Sequence, residues 1–433
     1  MTAALLAAVA GAQPLPVRGR VTRLLGPVLE ATAAGGVRVG DEVEVRTPGR
    51  PPLTGEVVGF RDGRVVVLPL GEPVGVGPEA EVLPRGAPPA LRVGEALVGR
   101  VLDGLGAPAD GRPLPAGLVR WAVDRPAPPP LERPPVREPL ALGVRVLDAL
   151  APAGQGQRLG LFAGAGVGKS VLLGQIARGT HADRVVVCLV GERGREVREF
   201  LEGPLGAEGL ARAVVVVATS DAPPLVRLRA AHVATAVAEW FAGAGHRVLL
   251  LVDSVTRYAR ALREVGLAAG EPPARQGYPP SVFAALPRLL ERAGPRARGS
   301  ITAVYTVLVA GGDLEEPIAD EVRSILDGHV VLDRALAEAG RFPAVDPLAS
   351  LSRVMPAVAA PAHQAAAARL RALLAAHARV RELVALGAYQ PGADPEADQA
   401  LARLPAIEAF LRQPADERAD RAETLARLQE LVW

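Results

Sequence analysis

Five nearly unbroken apolar runs constrain this chain more than any other feature: Leu159–Ala163, Val185–Val190, Val214–Ala218, Val248–Val252 and Ile301–Val309. A strand with one wet face alternates apolar and polar residues. These runs do not, so they must be covered on both faces. Helical stretches such as Leu225–Phe241 and Arg257–Glu264 lie between them. Strand and helix in alternation specify an α/β fold, a largely parallel sheet with helices on both sides.

The flanks read differently. Residues 19–85 carry short alternating runs, Arg20–Leu25, Glu42–Arg46, Glu56–Phe60 and Arg64–Leu68, separated by Gly, Pro and Asp turns, which suits a small β-barrel. A proline-rich connector follows at Arg125–Pro135. Beyond Met355 the chain turns Ala/Leu/Arg/Glu-rich with helical spacing, interrupted near Gly387–Pro395. The expected units are an N-terminal segment (1–18), a β-barrel (19–90), an α/β nucleotide domain (91–354) and a helical C-terminal domain (355–433). Met1–Ala12 resembles a signal peptide in its small apolar residues but has no basic residue before Arg18, so an amphipathic helix meeting a partner or membrane face is expected. No run reaches the roughly 18–20 apolar residues a membrane span needs.

Charge and cysteine usage exclude several functions. The formal net charge is only +2, and the barrel's one aromatic residue is Phe60, so the basic face and stacking platform of a nucleic-acid binder are missing. A single cysteine, Cys188, makes neither an internal disulfide nor a zinc cluster, and the six histidines are scattered.

Of the 49 cationic residues 48 are arginine, and the one lysine is Lys169. It stands in Ala163-Gly164-Ala165-Gly166-Val167-Gly168-Lys169-Ser170, after an apolar run and before the helical segment that opens with Val171. A compositional drift from lysine to arginine spares a site only where a compact, flexible ammonium is needed. Strand, glycine-rich loop and helix in that order form a phosphate-binding loop: its backbone N–H groups wrap a triphosphate, Lys169 reaches the β- and γ-phosphates, and Ser170 ligates Mg²⁺. Ala163 stands where the first glycine of such loops is usual.

Two carboxylates belong with it. Asp253 ends the run Val248–Val252, the place of the aspartate that accepts a hydrogen bond from the magnesium shell in P-loop ATPases. Glu192 lies just past Val185–Val190, at the carboxyl edge where open α/β sheets bind ligands, and a carboxylate there can orient and polarise an attacking water.

Longer motifs are specific enough to suggest a family. Asp253-Ser254-Val255-Thr256-Arg257-Tyr258-Ala259-Arg260, Gly270-Glu271-Pro272-Pro273, Gly277-Tyr278-Pro279-Pro280-Ser281-Val282-Phe283, the stretch Glu316–His329, Phe342–Leu348 and Gly387-Ala388-Tyr389-Gln390-Pro391-Gly392 closely resemble the ATPases of type III secretion systems, relatives of the rotary ATP synthase subunits. The resemblance runs from about residue 18 to the C-terminus, and Ala163 fits it. It implies a β-barrel, a RecA-like P-loop domain and a helical C-terminal domain assembled as a homohexamer. It implies hydrolysis of ATP with Mg²⁺ to strip chaperones from export substrates and unfold them at a membrane-embedded export gate. The implied partners are a stator or regulator at the N-terminal region, a central stalk coiled coil, and chaperone–substrate complexes at the C-terminal domain. The implied location is the cytoplasmic face of the inner membrane.

By position, Glu192 matches the family's catalytic carboxylate, Arg193 the basic residue beside it, Phe342 the aromatic packed on adenine, and Arg353 the arginine finger given to a neighbour's site. Non-catalytic rotary subunits lack the glutamate at the position of Glu192. Ala406–Gln413 and the compact length lean toward the injectisome branch over flagellar export. The rivals are a hexameric RNA translocase and a catalytically silent ring subunit.

Overall fold

The computed structural model describes residues 18–32, 36–86 and 89–433. The expected N-terminal helix lies outside the described residues. Six strands, β1 (Gly19–Leu25), β2 (Val28–Thr32), β3 (Glu42–Arg46), β4 (Leu53–Arg61), β5 (Arg64–Pro69) and β6 (Glu81–Pro84), close into a barrel in the order β1-β2-β5-β4-β3-β6. Its interior is a compact set of small aliphatics, including Leu29, Val43, Val57 and Val67. Two of the six strands, β2 and β6, escaped the sequence pattern.

Two short ribbons pair β7 (Ala90–Val93) with β9 (Val119–Ala122), and β10 (Pro139–Leu140) with β11 (Ala153–Gly154). The main sheet takes in β8 (Val101–Asp103), β12 (Arg158–Ala163), β13 (Arg184–Glu192), β14 (Ala213–Thr219) and β15 (Arg247–Asp253). It is completed by β16 (Gly294–Pro295), β17 (Ser300–Leu308), β18 (Gly328–Leu332) and β19 (Leu351–Ser352). Its order is β19-β18-β12-β17-β15-β13-β14-β8, with β16 paired to β17. Every neighbour from β18 to β8 is parallel.

All five apolar runs are strands of this sheet, and the pleat explains their composition. On β13, Val186, Cys188 and Val190 enter the core on one face, while Val185, Val187 and Leu189 enter the core on the other. Helices Pro224–Gly243, Val255–Ala269 and Pro280–Leu290 supply the first core; helices Lys169–Gly179 and Pro361–Ala385 supply the second. Burying each such valine or leucine contributes about 1.5–3 kcal/mol, so one polar substitution in β13 would be felt on either side.

Beyond the sheet lie helices Pro361–Ala385, Pro395–Leu411 and Arg421–Val432. The expected interruption falls between the first two. A second one, residues 412–420, was not anticipated. It is pinned by buried Gln413, whose Oε1 accepts from Arg145 N at 2.7 Å while its Nε2 donates to the Gly143 carbonyl at 2.9 Å.

Candidate active site

The parallel register brings the carboxyl ends of three strands together. β12 delivers the loop from Gly164 to Gly168, β13 delivers Glu192, and β15 delivers Asp253. Gly168 caps the Lys169–Gly179 helix with φ of 89°, a left-handed geometry that disfavours a side chain. No side chain caps this helix, so its first N–H groups remain available to an anion.

Lys169 Nζ bonds the Asp253 carboxylate and stands 3.6 Å from Glu192 Oε1. Asp253 is fixed from behind by the Thr306 hydroxyl, which donates to it at 2.7 Å. Arg257, one turn into the helix that follows Asp253, reaches Glu192 Oε2 at 3.0 Å and also donates to the Gly191 carbonyl. Glu192 Oε1 is buried without a hydrogen-bond partner among the described residues. Ser170, Glu192 and Asp253 line one cavity of about 310 Å³, and Glu196 joins them at its rim. Burial pushes the Glu192 carboxyl up to about 7, helped by the hydrogen bond with Glu196 and the nearby Asp253 charge, with Lys169 and Arg257 opposing. A carboxyl tuned toward neutral pH can exchange a proton with water.

The remaining candidates are placed as follows. Phe342 packs over the loop: a Cβ on Gly168 would lie 3.4 Å from its ring, yet 47% of Phe342 stays exposed. Val167 is buried beneath the loop, whereas Val171 is exposed and lines a separate cavity of about 530 Å³ with Arg178, Pro204 and Ala415. Arg353 follows β19; its backbone N–H donates to the Asp327 carbonyl at 2.9 Å, and its exposed side chain has no ion pair among the described residues. Asp346, its obvious in-chain partner, instead accepts from the backbone of Leu348 and Ala349. Arg193 is the exception. Its guanidinium is largely exposed and pairs with Glu196 at 3.3 Å, whereas the guanidinium that reaches Glu192 is that of Arg257. β13 turns outward after Glu192, and adjacency in space replaces adjacency in sequence.

Sequence reasoning passed over Arg257, Thr306 and Gln413. Arg257 sits within a quoted motif, but nothing in its residue type marks it among 48 arginines. Gln413 N donates to the Phe342 carbonyl at 2.9 Å, so the 412–420 segment braces the aromatic from the C-terminal side.

A strand, a glycine-rich loop and a helix, with an ammonium between two carboxylates, define a P-loop nucleoside triphosphatase. Three family descriptions match the chain in series: "ATP synthase alpha/beta family, beta-barrel domain" over residues 21–86, the same family's "nucleotide-binding domain" over 143–352, and "T3SS EscN ATPase C-terminal domain" over 359–430. The flagellum-specific ATP synthase of Bacillus subtilis (strain 168) is 49% identical, the match covering 96% of this chain and 95% of the relative. The type 3 secretion system ATPase of Xanthomonas euvesicatoria is 51% identical, covering 96% and 94%. The assembled ATPase EscN of enteropathogenic E. coli superposes with a TM-score of 0.91 at 44% identity, covering 96% of this chain and all of that one, and EscN bound to its central stalk EscO gives 0.89. The chain belongs to the family of type III secretion and flagellar export ATPases.

Proposed function

We propose that this chain is the ATP-hydrolysing motor of a type III secretion system, releasing chaperones from export substrates and unfolding them at an export gate. One observation carries the reading: the chain's only lysine lies 3.6 Å from a buried glutamate oxygen that accepts no hydrogen bond among the described residues, both at the carboxyl edge of one sheet. The backbone from Gly164 to Val171 cradles the phosphates, Lys169 leaves Asp253 for the β- and γ-oxygens, and Phe342 packs on adenine. Glu192, held by Arg257, orients a water and takes up its proton. Ser170 and Asp253 present the neutral and anionic hard oxygens that Mg²⁺ accepts alongside substrate phosphates, and the ion would supply charge neutralisation there. Arg353, whose side chain has no ion pair among the described residues, completes the site of a neighbour in a homohexamer. Arg193 keeps only a peripheral part, at the Glu196 rim.

The barrel and N-terminal region (1–90) would meet a stator or regulator, residues 91–354 work as the ATPase unit, and the helical unit 355–433 would receive chaperone–substrate complexes. A central stalk coiled coil would pass through the ring, in keeping with the stalk complex of EscN. No described helix is long and apolar enough to cross a membrane, which accords with peripheral association at the cytoplasmic face of the inner membrane. No nucleic-acid substrate is proposed.

Within the family we favour the injectisome branch, on Ala406–Gln413; flagellar export is the second reading, favoured by relatives of that description at similar identity. Two experiments test the proposal. Purified full-length chain should release phosphate from ATP without stimulation by RNA; silence, or dependence on RNA, overturns the motor reading. Deletion of the gene should stop effector secretion and spare motility; lost motility with intact effector secretion assigns the chain to the flagellum.

A further inference from the structure

Behind the Glu192 loop lies a second cavity, of about 250 Å³, lined by Gly191, Ser220, Arg227, Arg257, Arg260 and Glu264. It shares a thin wall with the nucleotide cavity: Gly191 faces one side and Glu192 the other. Arg257 crosses this wall, lining the second cavity while reaching Glu192 at 3.0 Å. The crossing explains the glycine. Gly191 has φ of 66°, and a Cβ there would lie 3.1 Å from Arg257 Cδ.

The charge of the second cavity is not balanced. Arg227 is matched by Glu264 at 2.5 Å, and Arg257 by Glu192. Arg260, three residues after Arg257 on the same helix face, has no hydrogen bond or ion pair among the described residues. Ser220 donates its backbone N–H to the Glu192 carbonyl at 2.9 Å, and its hydroxyl has no hydrogen bond among the described residues. Three guanidinium forks and a hydroxyl around a small cavity, with its one carboxylate, Glu264, tied to Arg227, fit a compact oxyanion.

We propose that this cavity is a second oxyanion site that takes inorganic phosphate, the product of hydrolysis, on Arg260, Arg227 and Ser220. It rests on the hydrolytic reading of Lys169 and Glu192, which makes phosphate one wall away. A proton gained by Glu192 as water attacks weakens its pairing with Arg257, whose fork then becomes available on the phosphate side. The site gives phosphate a place apart from Lys169 after the bond is cut, so the loop can exchange ADP independently.

The test is calorimetric titration of nucleotide-free, full-length protein with inorganic phosphate. In Lys169→Ala, which disables the first site, phosphate should still bind; adding Arg260→Gln should raise its Kd at least tenfold, with Arg260→Lys intermediate. In an otherwise wild-type chain, Arg260→Gln should change ADP affinity less than twofold and leave the melting temperature in place. Loss of all phosphate binding in Lys169→Ala overturns the proposal. So does an unchanged Kd in Arg260→Gln, including the case where sedimentation shows that only assembly has changed, which would give the arginine to a neighbouring copy. Failure of the hydrolytic reading is visible separately, as wild-type turnover in Glu192→Gln, while the phosphate titration keeps its own answer.

Discussion

The two halves of the nucleotide site are built on opposite terms. At the phosphate end, Lys169, Asp253, Glu192, Arg257 and Thr306 are paired with one another inside a single chain, Glu192 Oε1 alone lacking a hydrogen bond among the described residues, and all are buried or half-buried. At the other end, Phe342 and Arg353 stand exposed and are anchored through their backbones; only the edge of the Phe342 ring rests on the loop, at Gly168. Low local dielectric strengthens the first set and makes any vacancy there costly. The second set has nothing to lose until a nucleotide or a neighbouring chain arrives. On the proposed assignment of these residues, the chain prepares its own phosphate chemistry and leaves recognition of the base and completion of the site to later contacts.

The sharpest break of this contrast is at Lys169. Lys169→Ala should abolish hydrolysis and cost about 1.5–3 kcal/mol in nucleotide binding, the value of a charge-assisted hydrogen bond. Lys169→Arg should fail as well, since a planar fork cannot replace a compact ammonium between Asp253 and Glu192. Wild-type turnover in the arginine variant would show that the buried end tolerates any cation.

Arg353→Ala tests the open end. If Arg353 acts on a neighbour's γ-phosphate, its loss should lower kcat by about 10³–10⁵-fold while ATP still binds. Specific activity of the wild type should rise with protein concentration. Mixed after dissociation, Arg353→Ala and Glu192→Gln should regain partial activity, because one donates a finger and the other a working site. Mixed rings that stay inactive would return Arg353 to a role within its own chain.

Glu192→Gln should keep ATP binding and lose turnover by about 10²–10⁴-fold, the range of a general base. In the wild type kcat/KM reports the free enzyme, so its acid limb should fall near pH 7, where burial and Glu196 place the Glu192 carboxyl. Glu196→Ala removes one raising influence and should move that limb to lower pH. A limb indifferent to Glu196 would detach it from Glu192.

How much of this could be read before any coordinates follows from the same contrast. The buried sheet was legible because residues covered on both faces leave unbroken apolar runs. The phosphate loop was legible because a lone lysine among arginines is a chemical exception. The barrel was legible in part: β2, Val-Leu-Glu-Ala-Thr, hides behind Glu30, a buried acid surrounded by Arg23, Arg61 and Arg64. β6 is four residues long and ends in proline. Arg257 was hidden because sequence offers Arg193 beside Glu192, whereas only the pairing of β13 with β15 brings Arg257 to it. The 412–420 break was hidden because Gln413 reads as a helical residue until its partners, Arg145 and Gly143, are seen some 270 positions away.

A milder loss is expected at the aromatic. Phe342→Ala should raise KM for ATP with kcat nearly unchanged, the pattern of lost uniform binding. With 47% of its surface exposed, its removal should leave the melting temperature almost where it was. A collapse of stability with KM unchanged would move Phe342 into the core and erase the contrast between the two ends.

The smallest effect is thermodynamic, and it asks what the buried end costs the empty protein. Glu192 has its carboxyl raised from 4.5 to about 7 in the folded chain. Between those values the native state holds a proton that the unfolded state has released, so this group's contribution to stability falls as pH rises through the window. Above pH 7 the ionised carboxylate is a net burden despite Lys169 and Arg257, because burial strips its hydration and its Oε1 finds no hydrogen-bond donor among the described residues. Glu192→Gln removes that burden, so its melting temperature should exceed the wild type's at pH 8. The gain should shrink as pH falls through 7 and vanish near 4.5, where both side chains are neutral. Melting curves of the nucleotide-free proteins across pH 4.5–8 measure it. A gain that is constant with pH, or a loss at pH 8, would mean that Lys169 and Arg257 fully compensate Glu192 and that the buried end carries no charge burden before ATP arrives.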